Sequence, residues 1–430
     1  MGSMIETLKN AWKIPDLRKK LLFTLAMMVV YRIGIRIPVP GINQEAFTAL
    51  IERFGQLGSF LDIISGGAFK QVSIFAMGIT PYVNASIIMQ LLTVAIPALE
   101  RLQKEGEEGR KKIQQIVRYV TVGLAMVQAT AYWYATRTAS SSTLPAFINA
   151  ILVIVSFTAG TAFIMWIGEQ INDKGIGNGI SLIIFAGIVT GGPGAIKMLF
   201  GYFQNWSVTS NVFVSIFGTL LVVAIFVLVI ALVVFVQSAE RRIPVQYAKK
   251  VVGRKMYGGQ STYLPIKVNQ AGVIPVIFAI SIVTLPSTLV SLFGGTGPVA
   301  EWFMNFGSNP FYYIVYALLI LGFTFFYAMV QFNPIEIANN LQKNGGFIPG
   351  IRPGRPTSDF IAKTSRRLNW IDGLFLIIIV LMPTLLSVVT KAQGIWFGGT
   401  AVLILVGVAI DLVNQLESQM VMRHYKGFLD

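Results

Sequence analysis

The sequence predicts an all-α integral membrane protein with ten transmembrane helices in two pseudo-symmetric inverted halves of five, plus a short re-entrant helix. Three observations predict this class. Of the 430 residues, 54% are hydrophobic and 12% are charged, and the mean hydropathy is +0.67, far from a soluble globular composition. Apolar runs of about 20 residues, long enough to cross a hydrocarbon core of about 30 Å, recur ten times. A further apolar stretch, residues 57–72, is too short to cross.

The ten predicted spans divide evenly between residues 1–196 and residues 197–430. An odd number of spans in each half inverts the second half relative to the first, as a two-fold axis in the membrane plane requires. The spans are Leu21–Ile37, Ile74–Ile96, Ile116–Thr136, Phe147–Ile167, Ile180–Ile196, Val212–Val236, Ala271–Phe293, Phe311–Phe332, Leu374–Val389 and Trp396–Leu416.

The re-entrant stretch lies directly before the second span. It is apolar enough to be buried, but Gly66 and Gly67 interrupt it, and the following span contains Pro81 and Asn84 inside an apolar run. Such a segment is interrupted before it could cross the membrane. A loop that merely fills space has the same composition, so these residues alone leave its role open.

The distribution of positive charge predicts the orientation. Most of the 34 lysines and arginines fall in segments on the same side as the N-terminus. The positive-inside rule therefore places both termini in the cytoplasm. The net charge of +15 follows from these loops and needs no nucleic-acid substrate.

Two long cytoplasmic loops, residues 237–270 and 333–371, carry much of this charge. In the first, Val, Tyr and Ile alternate around "GRKMYGGQ", which predicts a β-hairpin. In the second, glycine and proline flank Arg352 and Arg355 and restrict how these guanidinium groups are presented. Anionic lipid could account for such loops, but a hairpin and a rigid arginine loop favour docking of a partner.

The sequence lacks the residues that several kinds of chemistry require. The chain has no cysteine, and its one histidine, His424, lies in the polar tail, so neither thiolate chemistry nor a histidine metal site is expected. No G-x-x-x-x-G-K-[ST] motif occurs. We therefore expect no enzyme activity, no cofactor and no metal. We also expect no cleavable signal peptide, because the first apolar run has the length of a span.

Apart from Arg32 and Arg36 near the outer end of the first span, the span interiors hold amide and hydroxyl groups in place of charges. Asn84, Gln128, Ser281 and Thr284 lie inside spans, whereas Glu169, Asp372 and Asp411 lie at span edges. Ion-coupled transporters usually place an ionisable group near the midplane, and none is found there. Hydrogen bonds between helices are the ordinary use of such polar groups.

Several long stretches resemble the SecY family, the central subunit of the bacterial protein-conducting channel. They include "SGGAFKQVSIFAMGITPYVNASIIMQLL", "FIMWIGEQINDKGIGNGISLIIFAGI" and "FNPIEIANNLQKNGGFIPGIRPG", in the order expected for that family. The resemblance covers nearly the whole chain. It implies a channel that moves unfolded secretory polypeptides across the plasma membrane and releases transmembrane segments sideways into lipid.

The resemblance also implies roles for individual residues. In that family a re-entrant plug and a ring of aliphatic side chains seal the resting pore, and the second, third, seventh and eighth spans form a lateral gate. The implied plug residues are Phe60, Leu61, Ile63, Ile64, Gly66 and Gly67. The implied ring consists of Ile79, Val83, Ile184, Ile277 and Ile404. The implied gate residues are Asn84, Gln128, Ser281 and Thr284. The implied docking residues are Arg241, Arg242, Lys249, Lys250, Arg254, Lys255, Arg352 and Arg355.

The partners implied by the resemblance are the SecE and SecG subunits, the SecA motor ATPase, the translating ribosome, signal sequences, unfolded preproteins and anionic lipids. The implied location is the bacterial plasma membrane. Two other classes of protein stay open. A small-solute transporter with inverted repeats requires an essential ionisable residue at the midplane. A scaffold that only anchors cytoplasmic partners leaves the re-entrant stretch without a role.

Overall fold

The computed structural model describes residues 4–45, 47–48, 62, 65–136, 145–193, 212–247, 250–252, 255–257, 261–293, 297–304, 306–390 and 399–426. The chain forms two compact units. The first comprises residues 1–198, 284–312 and 408–430, and the second comprises residues 199–283 and 313–407. Each unit is described by itself.

The first unit is helical. Its helices often begin at a proline, whose fixed φ suits the first turn and whose missing N–H has no partner there in any case. In order they are α1 (Met4–Lys13), α2 (Pro15–Gly34), α3 (Thr80–Ala95), α4 (Pro97–Lys104), α5 (Glu107–Thr136), α6 (Ala146–Lys174) and α7 (Gly179–Pro193). Helix α10 (Pro298–Met304) and a short 3-10 turn (Phe306–Ser308) also belong to it.

The second unit combines helices with short strands. Its elements are α8 (Val212–Ser238), β1 (Glu240–Tyr247), β2 (Lys250–Val252), β3 (Lys255–Tyr257), β4 (Ser261–Lys267), α9 (Ile274–Phe293), α11 (Pro310–Gln331), α12 (Pro334–Lys343), β5 (Gly346–Phe347), α13 (Arg355–Thr390) and α14 (Gly399–Lys426). The residues of α9, α11 and α14 are divided between the two units.

Each of the ten predicted spans overlaps a helix: α2, α3, α5, α6, α7, α8, α9, α11, α13 and α14. Within the described ranges, three helical stretches are long and apolar enough to cross a membrane individually. They are Ala146–Lys174, Pro310–Lys343 and Gly399–Met420. Helices α3 and α4 make a fourth if they count as one span, although they are bent by 100° at their junction.

The predicted start of the second span was wrong by six residues. We predicted a span from Ile74, but the chain turns through residues 65–79 and α3 begins at Thr80. Gly78 has φ +56, a left-handed conformation that a helix cannot continue through, and Pro81 then occupies the first helical turn. With 16 residues, α3 is about 24 Å long, shorter than the hydrocarbon core.

The predicted β-hairpin in the loop 237–270 is confirmed. Strands β1 and β4 pair antiparallel from Glu240 opposite Lys267 to Gln246 opposite Ser261, and β2 pairs with β3 near the tip. The sequence did not predict that β1 also pairs with β5, through Gln246 opposite Phe347. The two basic loops therefore share one three-stranded sheet. Its apolar core consists of Ile243, Val245, Ile266, Ile348, Ile361 and Leu368.

Candidate functional site

The end of the re-entrant stretch packs inside the first unit. We call residues 65–73 the return segment. Val39 N–H donates to Val72 O at 2.9 Å, and Ile74 N–H donates to Ile37 O at 3.0 Å, so the return segment is tied by backbone hydrogen bonds to the chain that follows α2. Phe69 is 1% exposed. Its ring lies 5.3 Å from that of Phe47 and 5.7 Å from that of Tyr132, between ring centroids.

Gly66 and Gly67 have the conformation that favours glycine. Their φ angles are +68 and +87. A Cβ added to Gly66 would lie 3.0 Å from the Cα of Gly187 in α7 and 3.4 Å from Cδ1 of Ile35. Gly66 therefore permits both a left-handed turn and a close approach to the backbone of α7.

Two side chains of α2 bind the return segment, and the sequence did not single them out for this role. The Tyr31 hydroxyl donates to Ser65 O at 3.1 Å, and Arg32 Nη1 donates to Gly66 O at 3.1 Å. The Tyr31 ring stacks on Phe75 with 5.9 Å between centroids. Any Cβ on Gly34 would overlap the Phe75 ring, so this glycine makes room for the stack.

Asp62 closes the turn that precedes the return segment. Its backbone carbonyl accepts hydrogen bonds from Gly67 N–H at 2.8 Å and from the Ser65 hydroxyl at 3.1 Å. Its carboxylate accepts one from Lys70 N–H at 2.9 Å. Burial raises the pKa of this carboxyl, and the hydrogen bond and positive charge of Lys70 oppose the rise only in part. The ionised form of Asp62 is thus disfavoured by its surroundings.

Three of the five implied ring residues lie in the first unit, close along the chain to the contacts of the return segment. Ile79 is 3% exposed and stands at the N-cap of α3, where its carbonyl accepts from Val83 N–H at 3.0 Å. A Cβ on Gly78, the preceding residue, would lie 3.7 Å from Cβ of Ser65. Ile184 is buried in α7, three residues before Gly187. The return segment therefore contacts α7, which carries Ile184, and Gly78, the residue before Ile79.

The other two ring residues lie in the second unit. Ile277 is half-buried in α9, and Ile404 is 4% exposed in α14. Gln237 of α8 donates from Nε2 to Leu403 O at 3.3 Å. A Cβ on Gly407 would lie 3.3 Å from Cγ2 of Val273, just before α9. These contacts hold the start of α14 beside α8 and beside the chain entering α9.

The implied gate residues lie on the expected helices. Asn84 is half-buried on α3, and its Oδ1 is buried without a hydrogen-bond partner among the described residues. Gln128 is half-buried on α5. Ser281 donates to Ile277 O at 2.8 Å within α9, and Thr284 follows on the same helix with its side chain outside the described residues. Asn84 and Gln128 therefore lie in one unit on neighbouring helices.

A second contact missed by sequence reasoning joins α5 to α6. Arg118 Nε lies 2.6 Å from Glu169 Oε1, and Gln114 Nε2 donates to the same oxygen at 3.5 Å. The sequence placed Glu169 at a span edge but gave no partner, because the two residues are separated by 51 positions. A carboxylate at the end of an apolar helix was the only signal of such a pair.

The implied docking residues are exposed wherever their side chains are described. Arg241 and Arg242 lie on β1, and Arg242 Nε is 2.7 Å from Glu240 Oε1. Arg352 and Arg355 are exposed on either side of Gly354, whose φ is +96, and the Arg352 carbonyl accepts from the Thr357 hydroxyl at 2.8 Å. Lys250 and Lys255 lie on β2 and β3 with side chains outside the described residues. Lys249 and Arg254, with the plug residues Phe60, Leu61, Ile63 and Ile64, lie outside the described residues altogether.

Comparison with known proteins gives one family. A family model described as SecY matches residues 73–413. The protein translocase subunit SecY of Streptomyces galbus is 45% identical over 443 residues, which cover 99% of this chain and 100% of that protein.

Two solved structures share the fold. One is a SecY protein whose plug domain is described as stabilising the closed state of the translocation channel. It is 21% identical with a TM-score of 0.62, covering 94% of this chain and 92% of that chain. The other is Sec61 in the canine ribosome–channel complex from the endoplasmic reticulum. It is 20% identical with a TM-score of 0.57, covering 94% of this chain and 93% of that chain. These likenesses confirm the predicted helical membrane fold.

Proposed function

The chain belongs to the SecY family and is a protein-conducting channel subunit, and we propose that it moves unfolded secretory polypeptides across the bacterial plasma membrane. It releases transmembrane segments sideways into lipid. The observation that carries the assignment of roles is the packing of the return segment. Gly66 approaches the backbone of α7 at Gly187, and Gly78, beside Ser65, directly precedes Ile79. Within the first unit, the return segment thus lies against α7, which carries Ile184, and against Gly78, which directly precedes Ile79.

The seal follows from the chemistry of those side chains. We propose that Ile79, Val83, Ile184, Ile277 and Ile404 form the ring at the pore constriction. Aliphatic side chains offer no hydrogen bonds to water, so a narrow collar of them dewets and excludes ions. The same side chains change rotamer around a passing polypeptide without binding it. The plug, from about residue 57 to residue 72, completes the seal from the outer side.

The lateral gate requires contacts that break reversibly. We propose that Asn84, Gln128, Ser281 and Thr284 lie along the seam between the gate helices. A polar contact in a membrane contributes about 0.6 kcal/mol on average, so a few of them hold a gate without locking it. A signal sequence that buries its apolar side chains between gate and lipid then shifts the equilibrium toward the open state.

The basic loops supply the docking surface. Because β1 pairs with both β4 and β5, the hairpin and the short strand that precedes Arg352 belong to one three-stranded sheet. We propose that SecA and the translating ribosome dock on this surface, the ribosome through phosphates in a salt-sensitive contact.

SecE and SecG complete the complex, and anionic lipids surround the loops. The energy for transport comes from a partner and not from this chain. Both termini lie in the cytoplasm.

The test is site-specific crosslinking in reconstituted vesicles that contain SecE and SecA. A polypeptide stalled in transit is tested for crosslinking to single cysteines introduced at Ile79, Ile184, Ile277 and Ile404. The native chain has no cysteine that could interfere. A cysteine at Val155, which is 58% exposed on α6, is the matched control. Crosslinks from all four ring positions and none from the control support the channel assignment. Crosslinks confined to the 237–270 and 333–371 loops would make the chain a docking platform and overturn the ring.

A further inference from the structure

Two consecutive side chains of α2 hold two consecutive carbonyls of the return segment. Tyr31 donates to Ser65 O and Arg32 donates to Gly66 O, each at 3.1 Å. Tyr31 and Ser65 are each 2% exposed, and Gly66 is buried. The contact is therefore an internal one and not a surface encounter between flexible groups.

The carbonyls need these donors because of the local backbone. Left-handed φ angles at Gly66 and Gly67 take the chain out of regular secondary structure. The carbonyls of this turn therefore lack the hydrogen-bond donors that a helix or a sheet would supply. Ser65 O has a second, longer hydrogen bond from Ala68 N–H at 3.4 Å. A buried carbonyl that loses its donor is costly, and more so when the donor is charged, as Arg32 is.

The donors themselves are held in place. The Tyr31 ring stacks on Phe75, and the Phe75 ring stacks on Phe163 with 6.1 Å between centroids. Nearer the start of α2, the Thr24 hydroxyl accepts a hydrogen bond from Ile176 N–H at 3.1 Å, which fixes α2 to the chain that enters α7. Gly66 in turn lies against Gly187 of α7. Helix α2 thus contacts both the return segment and the chain that enters α7, and the return segment contacts α7.

We propose that Tyr31 and Arg32 are positioning residues that keep the return segment seated against α7 in the resting channel. This inference rests on the proposed function. It makes Ser65 and Gly66 the anchored residues of the return segment. Weakening the two hydrogen bonds raises the population of the unseated segment and with it the resting ion leak, while the path for polypeptide stays intact.

The experiment compares variants that remove one donor each. Tyr31→Phe removes the hydroxyl but keeps the stacked ring, Arg32→Met removes the cation and its donors, and Arg32→Lys keeps a cationic donor. Tyr119→Phe and Arg36→Met are matched controls, because both side chains are exposed. The measurement is ion conductance of the reconstituted complex in the absence of substrate, together with SecA-driven transport of a preprotein.

We expect resting leak to rise about fivefold in Tyr31→Phe and about tenfold in Arg32→Met, from the loss of one neutral and one charged hydrogen bond. Arg32→Lys and both controls stay near wild type. A combined Ile79→Gly and Ile184→Gly variant shows that the assay detects leak. Wild-type leak in both Tyr31→Phe and Arg32→Met would overturn the proposal.

Two further readouts separate the possible failures. Hydrogen exchange at the amides of Gly67, Phe69 and Lys70 is expected to accelerate in Tyr31→Phe and Arg32→Met, with α5 and α6 unchanged. Unchanged exchange at the three amides contradicts the anchor even if leak rises. The wild-type crosslinking result tests the channel itself. If the stalled polypeptide never reaches the ring in wild type, the proposed function fails; if it does and leak is unaltered, only the anchor fails.

Discussion

Arg118 Nε lies 2.6 Å from Glu169 Oε1, and the side chain of Glu169 is only 11% exposed, so α5 and α6 are joined by an ion pair with a largely buried carboxylate. Glu100 and Lys104 in α4 approach equally closely, but their side chains are 50% and 74% exposed. Water screens the second pair more strongly than the first, in which Arg118 is 44% exposed but the carboxylate is largely buried. The two pairs have the same length and different surroundings.

The first prediction uses this contrast. Arg118→Met leaves the Glu169 carboxylate without its cation, and we expect a loss of about 1–3 kcal/mol in stability, the usual cost of an unpaired buried polar or charged group. Glu100→Gln, the matched control, has little effect. Thermal unfolding of the purified protein in detergent measures both. Equal unfolding temperatures for Arg118→Met and wild type would mean that the ion pair contributes nothing.

The second prediction concerns pH and Asp62. The folded-state pKa of this carboxyl is raised, chiefly by burial, so folding favours its neutral form. Its contribution to stability is therefore complete below the ordinary Asp pKa and is lost as the pH rises through the raised value. Asp62→Asn stays neutral and keeps an oxygen that accepts the Lys70 N–H. We expect this variant to unfold at a higher temperature than wild type at neutral pH and at the same temperature in acid. A lower unfolding temperature at neutral pH contradicts the burial argument.

The third prediction concerns Gly66. Gly66→Ala places a Cβ 3.0 Å from the backbone of Gly187 at φ +68, and we expect a loss of about 1–3 kcal/mol from strain and displacement of α7. Gly123→Ala in α5 is the control, because nothing lies within 4 Å of its added Cβ. A helical glycine replaced by alanine gains up to about 1 kcal/mol. Opposite shifts in unfolding temperature are therefore expected, and a shift in the same direction for both variants counts against the packing role of Gly66.

The fourth prediction concerns docking. Arg352→Glu reverses the charge of an exposed side chain, and we expect SecA-driven transport to fall roughly tenfold, as for the loss of a charge-assisted contact. Membrane insertion of the protein itself is unaffected. Lys111→Glu makes the same change in net charge at an exposed position of α5 and serves as the control. Normal transport by the Arg352 variant, measured with a secreted preprotein in vesicles, removes the docking role.

The sequence predicted the spans well because composition over 20 residues is a strong signal that needs no knowledge of neighbours. The hairpin of β1 and β4 was also predictable, since the alternation of its residues and the glycines at its centre are local features of the sequence. The start of α3 was wrong because the apolar run continues without a break through Ile74. The helix is delayed by a left-handed turn at Gly78, whose N–H donates to Phe75 O at 2.8 Å, and hydropathy carries no sign of this turn.

Contacts between distant residues were beyond the sequence. Tyr31 and Ser65 are 34 positions apart, and Arg118 and Glu169 are 51 apart, so no pattern in one element indicates the other. Strand β5 has two residues and no periodicity to read. The ring and gate residues were named from resemblance, because an isoleucine or an amide inside an apolar helix carries no local mark of its role.

The length of α13 has a mechanical consequence. The helix runs without interruption from Arg355, three residues after Arg352, to Thr390, and Pro383 is the proline inside it. From Arg355 to Pro383 it is a rod of about 40 Å. A hydrogen-bonded helix resists compression along its axis, whereas proline removes a bond and admits a bend. If a partner docks at Arg352 as proposed, a force applied there is transmitted along the axis of α13 as far as Pro383, where the helix can bend.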